Sequence, residues 1–199
     1  MKHSSAVART ATKPSRTSAA APRERLALNQ ADLEMAKTQL GAGAVTPHFG
    51  PWREDIIGLL NDALATEWVC VLRYKRHHFT ATGLASPAIA REFLVHANEE
   101  AQHADRLAQR IVQLGGEPDF NPDTLSQRSH ASYNTARELQ AMLRANLVAE
   151  RVAIEAYSQM IDLIADKDPT TRRLLESILE QEQRHAEELT DWLANGLSA

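Results

Sequence analysis

Apolar residues recur every three or four positions in four long segments of the chain, a spacing that places them on one face of an α-helix. Ser86-Pro87 and Asp168-Pro169 favour helix starts, because the first residue caps the helix and proline suits the first helical position. The four predicted helices extend from about Trp52 to Phe79, from Ser86 to Gly115-Gly116, from near Ser132–Asn134 past Ile161, and from Pro169 to Gly196. The chain is therefore predicted to be all-α.

The lengths of the linkers predict how these helices are connected. About six residues join the first two helices and about three join the last two, so each pair is predicted to form an antiparallel hairpin. Between the pairs lie about 17–19 residues, from Gly115 to Tyr133. Roughly 18 extended residues reach about 60 Å, which exceeds the length of about 42 Å of a 28-residue helix. We therefore predict a four-helix bundle of two antiparallel hairpins joined by one long crossover.

The first 50 residues differ in pattern from the rest. Residues 1–27 are rich in Ala, Ser, Thr, Arg and Pro and show no helical periodicity, so they are predicted to be disordered. Residues 30–40 are predicted to form a short helix that stops at Gly41-Ala-Gly43. We therefore divide the chain into a basic, largely disordered arm over residues 1–50 and a bundle over residues 51–199.

The net charge of −4 combines two unlike regions. Residues 1–23 carry five of the 22 basic residues and no acidic one, which leaves 17 basic and 26 acidic residues in the rest of the chain. Such a basic segment is a solvated tail, an organelle transit segment or a DNA-binding arm that neutralises phosphates in a salt-dependent way. All three interpretations of residues 1–27 stay open.

Composition excludes several other classes. No run approaches the roughly 20 apolar residues of a membrane span, and the beginning of the chain shows no secretory signal. The single cysteine, Cys70, excludes an intrachain disulfide framework and a four-cysteine metal site. We expect a cytoplasmic protein with no membrane partner.

Six side chains with metal-binding chemistry fall on the apolar helix faces. Glu100-Ala-Gln-His103 and Glu182-Gln-Arg-His185 share a Glu-x-x-His pattern, which places the two side chains side by side on a helix. Each pattern follows a glutamate of the preceding helix, Glu67 by 33 residues and Glu150 by 32. The two halves of the chain are therefore related by a pseudo-two-fold repeat.

Buried acids at these positions point to metal ions. A buried, unpaired carboxylate costs several kcal/mol, four together repel one another, and we expect no Arg or Lys on the same faces. Two divalent cations would cancel their charge, and carboxylate and imidazole ligands without a thiolate suit iron or manganese. The predicted terminal ligands are Glu67 and His103 on one metal and Glu150 and His185 on the other, with Glu100 and Glu182 bridging both.

The pattern Glu67…Glu100-x-x-His103…Glu150…Glu182-x-x-His185 resembles the ferritin-like di-iron carboxylate superfamily, and within it the bacterioferritins, over residues 52–195. The resemblance implies two iron ions per subunit, oxidation of Fe²⁺ by O₂ or H₂O₂ at the six ligands and Tyr74, and iron storage in a shell of 12 or 24 subunits. Ala101 occupies the position of the methionine that binds haem in bacterioferritins, so haem is not expected. No fifth helix is expected after Trp192, which resembles the Dps branch with its twelve-subunit shells and basic, DNA-binding tails.

Two alternatives to iron storage stay open at this point. One is a non-storing enzyme, either a di-iron peroxidase or a di-manganese catalase. The other is a DNA-protecting protein of the Dps type that acts through residues 1–27.

We make separate predictions for four further side chains. Tyr74 and Tyr157 each follow a matched glutamate by seven residues and are predicted to hydrogen-bond a bridging carboxylate, with electron relay as the alternative for Tyr74. His96 is predicted to pack beside the ligands or to bond to them from outside. His77, beyond the apolar pattern, is predicted to lie on the surface.

Overall fold

The structure, a computed structural model, describes residues 26–83 and 86–195. Most of the segment predicted to be disordered, residues 1–27, lies outside the described residues. The helices are α1 (Gln30–Ala36), α2 (Arg53–Thr80), α3 (Ser86–Gln113), α4 (Leu125–Arg128), α5 (Leu139–Ile164) and α6 (Pro169–Asn195), with a 3-10 turn at Leu40–Ala42. No strand occurs among the described residues, and none of the described helices has the length and apolar character to cross a bilayer. The division into an arm and a bundle at residue 50 stays a prediction.

The four long helices form the predicted bundle of two hairpins. Helix α2 packs on α3 and α5 on α6, and the two hairpins meet through α2 with α5 and α3 with α6. Side-chain contacts between α3 and α6 run from residues 96 and 188 to residues 110 and 171, so these two helices are antiparallel. The predicted fold class is confirmed.

Two apolar clusters fill the bundle and leave a polar layer between them. The first cluster occupies the end where α2 begins, and its fully buried members include Leu60, Leu64, Leu107, Ile111, Leu175 and Ile178. The second occupies the opposite end and contains Tyr74, Ile89, Phe93, Met142, Leu143 and Leu189. On each of the four helices, buried acidic or imidazole residues lie between the members of these clusters.

The crossover from Leu114 to Glu138 is longer than predicted, because α5 begins at Leu139 rather than near Ser132–Asn134. Two arginines of α2 hold this stretch outside the helix. Arg73 donates to the backbone oxygen of Ser132 at 3.3 Å, and Arg76 donates to that of Ala136 at 2.9 Å. These contacts hold the last residues of the crossover outside the helix.

Other side chains of α2 fix the remainder of the crossover. Arg53 donates to the oxygen of Leu114 at 3.2 Å, and Asn61 accepts from the amide of Asp119 at 2.8 Å. Further along, the hydroxyl of Thr66 accepts from the amide of residue 130 at 2.9 Å. Because these bonds continue to Arg76, the crossover follows α2 over nearly its whole length.

A buried ion pair joins the start of α6 to α3. Asp168 accepts from the amides of Thr170 and Thr171 at 3.1 and 3.0 Å, so it caps α6 as its sequence predicts. Its two carboxylate oxygens also accept from Nη2 of Arg110, at 2.9 and 2.8 Å. Both side chains are almost fully buried. One carboxylate therefore closes a helix end and ties the two hairpins together.

Replacing Asp168 by Ala should destabilise the protein by about 3 kcal/mol, because it leaves the guanidinium of Arg110 buried without its partner and removes a helix cap. Urea unfolding monitored by circular dichroism would measure the change in the free energy of unfolding. Asp166→Ala, at an exposed acid two residues earlier, is the control and should cost less than about 0.5 kcal/mol. Equal stabilities of the two variants would contradict the role given to this pair.

Candidate metal centre

Four acidic and two imidazole side chains meet in the polar layer between the apolar clusters. Helices α2 and α5 supply one glutamate each, whereas α3 and α6 each supply a Glu-x-x-His pair from two adjacent turns. All six residues are at most 1% exposed. The six are Glu67, Glu100, His103, Glu150, Glu182 and His185, and we refer to them as the inner cluster.

The inner cluster divides into two overlapping groups of four. One group consists of Glu67, Glu100, His103 and Glu182, and the other of Glu100, Glu150, Glu182 and His185. Within each group, one potential ligand atom of every residue lies within 4.8 Å of those of the others. Because Glu100 and Glu182 belong to both groups, the arrangement matches two metal positions that share two carboxylates. The assignment of terminal and bridging roles stays a prediction.

Each imidazole directs Nδ1 at carboxylate oxygens of the inner cluster. Nδ1 of His103 lies 2.9 Å from Glu182, 3.3 Å from Glu100 and 3.4 Å from Glu67. Nδ1 of His185 lies 3.3 Å from Glu100 and 3.7 Å from Glu150. Ligand atoms from all four long helices therefore converge on one small volume.

Every member of the inner cluster has a buried atom without a hydrogen bond. These atoms are Glu67 Oε2, Glu100 Oε1, His103 Nδ1, Glu150 Oε2, Glu182 Oε1 and His185 Nδ1. Buried polar atoms without partners are rare in folded proteins, so six of them in one place need an explanation. Two divalent cations would satisfy all six atoms and cancel four carboxylate charges, and the donor set of oxygen and nitrogen suits iron or manganese. The residues present therefore fit a pair of such ions.

Without metal, protons take the place of the missing positive charge. Burial and the charge of Glu100 raise the pKa of Glu67 to about 8. Burial alone would lower the pKa of both imidazoles, but contacts with Glu100 and its neighbouring carboxylates raise the pKa of His185 to about 11 and that of His103 well above its ordinary value. Both imidazoles are therefore protonated at neutral pH when no metal is bound.

The two tyrosines bond to different carboxylates from those predicted. The hydroxyl of Tyr74 donates to Glu150, and that of Tyr157 donates to Glu67. Neither tyrosine bonds to Glu100 or Glu182, the two glutamates predicted to bridge, so the predicted partners are wrong. Seven residues advance a helix by about 10 Å, so each tyrosine lies beyond the glutamate of its own helix and reaches the glutamate of the antiparallel one.

A family model described as the ferritin-like domain matches residues 57–197. The chain belongs to the ferritin-like family. Bacterioferritin of Desulfovibrio desulfuricans is 30% identical over 138 residues, which cover 67% of this chain and 73% of that protein. The DNA protection during starvation protein of Pyrococcus furiosus is 32% identical over 137 residues, which cover 66% and 73%.

Solved structures share the fold of this ferritin-like chain. The dodecameric thioferritin of Bacteroides fragilis, a bacterioferritin-related protein, has a TM-score of 0.70 at 31% identity and covers 72% of this chain and 86% of its own. A structure of the Desulfovibrio desulfuricans bacterioferritin, which describes its diiron site in different catalytic states, has a TM-score of 0.64 at 27% identity and covers 71% and 80%.

Outside the inner cluster of this ferritin-like chain, Glu99 orients His185, one of the predicted ligands, although Glu99 is not part of the six-residue pattern. Its Oε2 lies 2.7 Å from Nε2 of His185, and its Oε1 accepts from Arg184 at 3.1 Å. A proton on Nε2 leaves Nδ1 of His185 free for a metal, and carboxylates often orient metal-binding histidines in this way. Gln181, the counterpart in the other half, donates to a backbone oxygen, and Nε2 of His103 has no hydrogen bond. The position of Glu99, directly before the predicted ligand Glu100, is the sequence feature that indicates this role.

Two further expectations about buried polar residues are wrong. Arg73 is fully buried beside the inner cluster, although no basic residue was expected on these faces. It donates to Asn146 at 2.8 Å, and His77, predicted on the surface, is also fully buried, 3.3 Å from the same amide oxygen. Burial and the charge of Arg73 lower the pKa of His77 to about 4, so this histidine is neutral. A side chain from another helix contacts both residues, which a helix-face pattern does not reveal.

Binding of Zn²⁺ to the metal-free protein at pH 7 should release roughly two to four protons per subunit. His103 and His185 must each lose one proton, and Glu67 and Glu182, whose pKa values are raised by burial, supply the rest. The apparent affinity should therefore fall as the pH falls. Calorimetry in buffers of different ionisation enthalpy, at several pH values, measures both quantities. The variant His185→Ala should release about one proton fewer, and Zn²⁺ binding without proton release would contradict the protonation described here.

Proposed function

We propose that this ferritin-like protein oxidises Fe²⁺ at the inner cluster and stores the ferric product inside a shell of its own subunits. One observation carries the proposal: six buried ligand atoms without hydrogen bonds form two groups that share Glu100 and Glu182. This arrangement suits two adjacent iron ions. The solved structure of the Desulfovibrio desulfuricans bacterioferritin describes a diiron site in that protein, which supports the same function for this chain.

The proposed chemistry is a two-electron transfer. Two neighbouring Fe²⁺ ions supply two electrons to one oxidant, so that O₂ takes up two protons and leaves as H₂O₂, or H₂O₂ takes up two protons and leaves as two waters. Glu67 and His103 would hold one ion, and Glu150 and His185 the other. Glu100 and Glu182 would be shared by both ions.

Tyr74 is proposed to act as an additional source of electrons. Its hydroxyl donates to Glu150, and its ring is fully buried. An electron leaving the phenol is accompanied by its proton, and Glu150 lies in position to accept it. Tyr157 makes the equivalent bond to Glu67 in the other half, but its surroundings are more apolar, with Ile178 where Tyr74 has His96.

The shell is proposed by analogy with the dodecameric protein of Bacteroides fragilis, with 24 subunits as the alternative. Apolar side chains on the outside of the bundle support assembly. Val148 and Leu163 on α5 are 62% and 60% exposed, and they border an open cavity of about 640 Å³ that Leu59 and Met160 also line. Exposed apolar surface of this kind marks an interaction site in a protein that forms oligomers.

Aerobic addition of Fe²⁺ to the purified protein tests the site. The variants Glu100→Ala and His185→Ala should slow the rapid phase of oxidation, followed by absorbance of ferric iron, by roughly 10- to 100-fold, because each removes a ligand. The control is Glu187→Ala, at an exposed acid of the same helix α6. Wild-type rates in both ligand variants would refute the site.

The iron retained after the same experiment distinguishes storage from the non-storing alternatives. Storage requires far more iron per subunit than the two ions that the inner cluster binds, measured by elemental analysis after gel filtration. Retention of only two ions, with continued turnover of H₂O₂, would favour the di-iron peroxidase or, with manganese, the catalase.

DNA protection is the second candidate function. The Pyrococcus furiosus relative is named a DNA protection during starvation protein, and residues 1–23 of this chain carry five basic residues and no acidic one. A shell would present this segment many times, which increases its avidity for phosphates.

Deletion of residues 2–27 should abolish retardation of DNA in a gel and leave the rate of Fe²⁺ oxidation unchanged. Binding by the full chain should weaken steeply as the salt concentration rises, because phosphate contacts release counterions. Retardation that survives the deletion would show that the arm is not the DNA-binding element.

A further inference from the structure

A second group of metal-binding side chains lies one helical turn from the inner cluster. Glu92 and His96 of α3 and Glu188 of α6 each offer a ligand atom within 4.8 Å of the others. Nε2 of His96 lies 2.8 Å from Oε2 of Glu188 and 3.5 Å from Oε1 of Glu92. We refer to these three residues as the outer cluster.

The outer cluster connects the inner cluster with solvent. His96 is fully buried, whereas the side chains of Glu92 and Glu188 are 28% and 34% exposed. The ring of His96 stacks on that of His185, with centroids 4.1 Å apart. An ion bound by the three residues would therefore contact water on one side and lie beside a ligand of the inner cluster on the other.

Ligand-type residues follow one another along both helices at single-turn intervals. On α3 the series is Glu92, His96, Glu100 and His103, and on α6 it is Glu182, His185 and Glu188. Residues three or four apart are neighbours on a helix surface. The two series thus form one continuous row of carboxylates and imidazoles from the surface to the centre of the bundle.

The hydrogen bonds of Tyr74 determine which nitrogen of His96 carries its proton. The tyrosine hydroxyl donates its only proton to Glu150, so its oxygen accepts from Nδ1 of His96, 3.1 Å away. In the neutral imidazole, Nε2 then presents a lone pair to the carboxylates of Glu188 and Glu92. This contact is repulsive unless a cation, either a second proton or a metal ion, lies between the three groups.

The same arrangement is what a metal-binding histidine requires. Such a histidine donates one ring nitrogen to a polar neighbour and offers the other to the metal. His185 does this with Glu99 behind it, and His96 does it with Tyr74 behind it. Arg184 lies 3.3 Å from Oε1 of Glu188, but it also bonds to Glu99 and leaves Oε2 of Glu188 facing His96.

The outer cluster is not a product of the pseudo-two-fold repeat. The positions in the other half that match Glu92, His96 and Glu188 hold Leu174, Ile178 and Arg106. Packing of the bundle therefore does not require a carboxylate or an imidazole at any of these positions. The polar set occurs in one half alone, on the side of Glu150 and His185.

We propose that Glu92, His96 and Glu188 bind one divalent cation and that, given the function proposed above, Fe²⁺ occupies this outer site on its way between solvent and the inner cluster. One imidazole and two carboxylates suit Fe²⁺, Mn²⁺ or Co²⁺. The partial exposure of the two glutamates allows the ion to enter hydrated and to exchange its waters for protein ligands.

Anaerobic titration of the metal-free protein with Co²⁺ tests the site without any iron chemistry. Equilibrium dialysis should count about three Co²⁺ per subunit in the wild type and about two in each of Glu188→Gln and Glu92→Gln. The control Glu187→Gln makes the same change at an exposed neighbour on α6 and should keep all three. Two variants are used because Glu188 also contacts Arg184, whereas the contact described for Glu92 is with His96.

The titration separates failure of the outer site from failure of the inner one. Equal counts in the wild type, Glu188→Gln and Glu92→Gln would overturn the outer site and leave the inner cluster standing. The variant Glu100→Ala damages the inner cluster. If it still binds Co²⁺, and the double variant with Glu188→Gln does not, the outer site is established independently of the proposed function. If Glu100→Ala alone binds no Co²⁺, the outer cluster is not a separate site.

Stopped-flow oxidation of Fe²⁺ tests the transit role. Glu188→Gln and Glu92→Gln should raise the Fe²⁺ concentration needed for half-maximal rate by roughly tenfold, because acidic groups at an entrance concentrate cations, and should leave the rate at saturating Fe²⁺ near that of Glu187→Gln. An unchanged concentration dependence in variants that have lost the third Co²⁺ would overturn the role in transit.

Discussion

Four carboxylates in the apolar interior of one bundle repel one another, and the arrangement persists only if positive charge accompanies them. Glu67, Glu100, Glu150 and Glu182 are all at most 1% exposed, and the buried Arg73 beside them bonds to Asn146. Arg73 keeps its own charge, which offsets one carboxylate at most, so the remaining positive charge must come from protons or from metal ions. The two apolar clusters above and below the polar layer exclude water, so solvent cannot replace this positive charge in stabilising the carboxylates.

The predicted ligands follow the two-fold repeat of the sequence, but the residues around them differ between the two halves. Both halves contain a glutamate, a Glu-x-x-His pair and a tyrosine, but only His185 has a carboxylate behind its outer nitrogen. The half with His185 also has His96 stacked against it, whereas the matching residue is Ile178. The two predicted metal positions, although their ligands are equivalent, therefore lie in unequal surroundings.

The helices and the six-residue pattern could be read from the sequence, because both depend on spacing within a single helix. A Glu-x-x-His pair on an apolar face leaves few interpretations, and α2, α3 and α6 begin within a residue of the expected positions. The start of α5 could not be predicted, since Arg73 and Arg76 of another helix hold residues 132–136 outside the helix. The partners of the tyrosines and the burial of His77 likewise depend on how α2 meets α5.

The crossed bonds of the tyrosines bear on how the two hairpins are aligned. Tyr74 of the first hairpin bonds to Glu150 of the second, and Tyr157 of the second bonds to Glu67 of the first. Sliding one hairpin along the other by a single helical turn, about 5.4 Å, would break both bonds at once. The two tyrosines thus fix the alignment of the hairpins, and the predicted ligands converge only in that alignment.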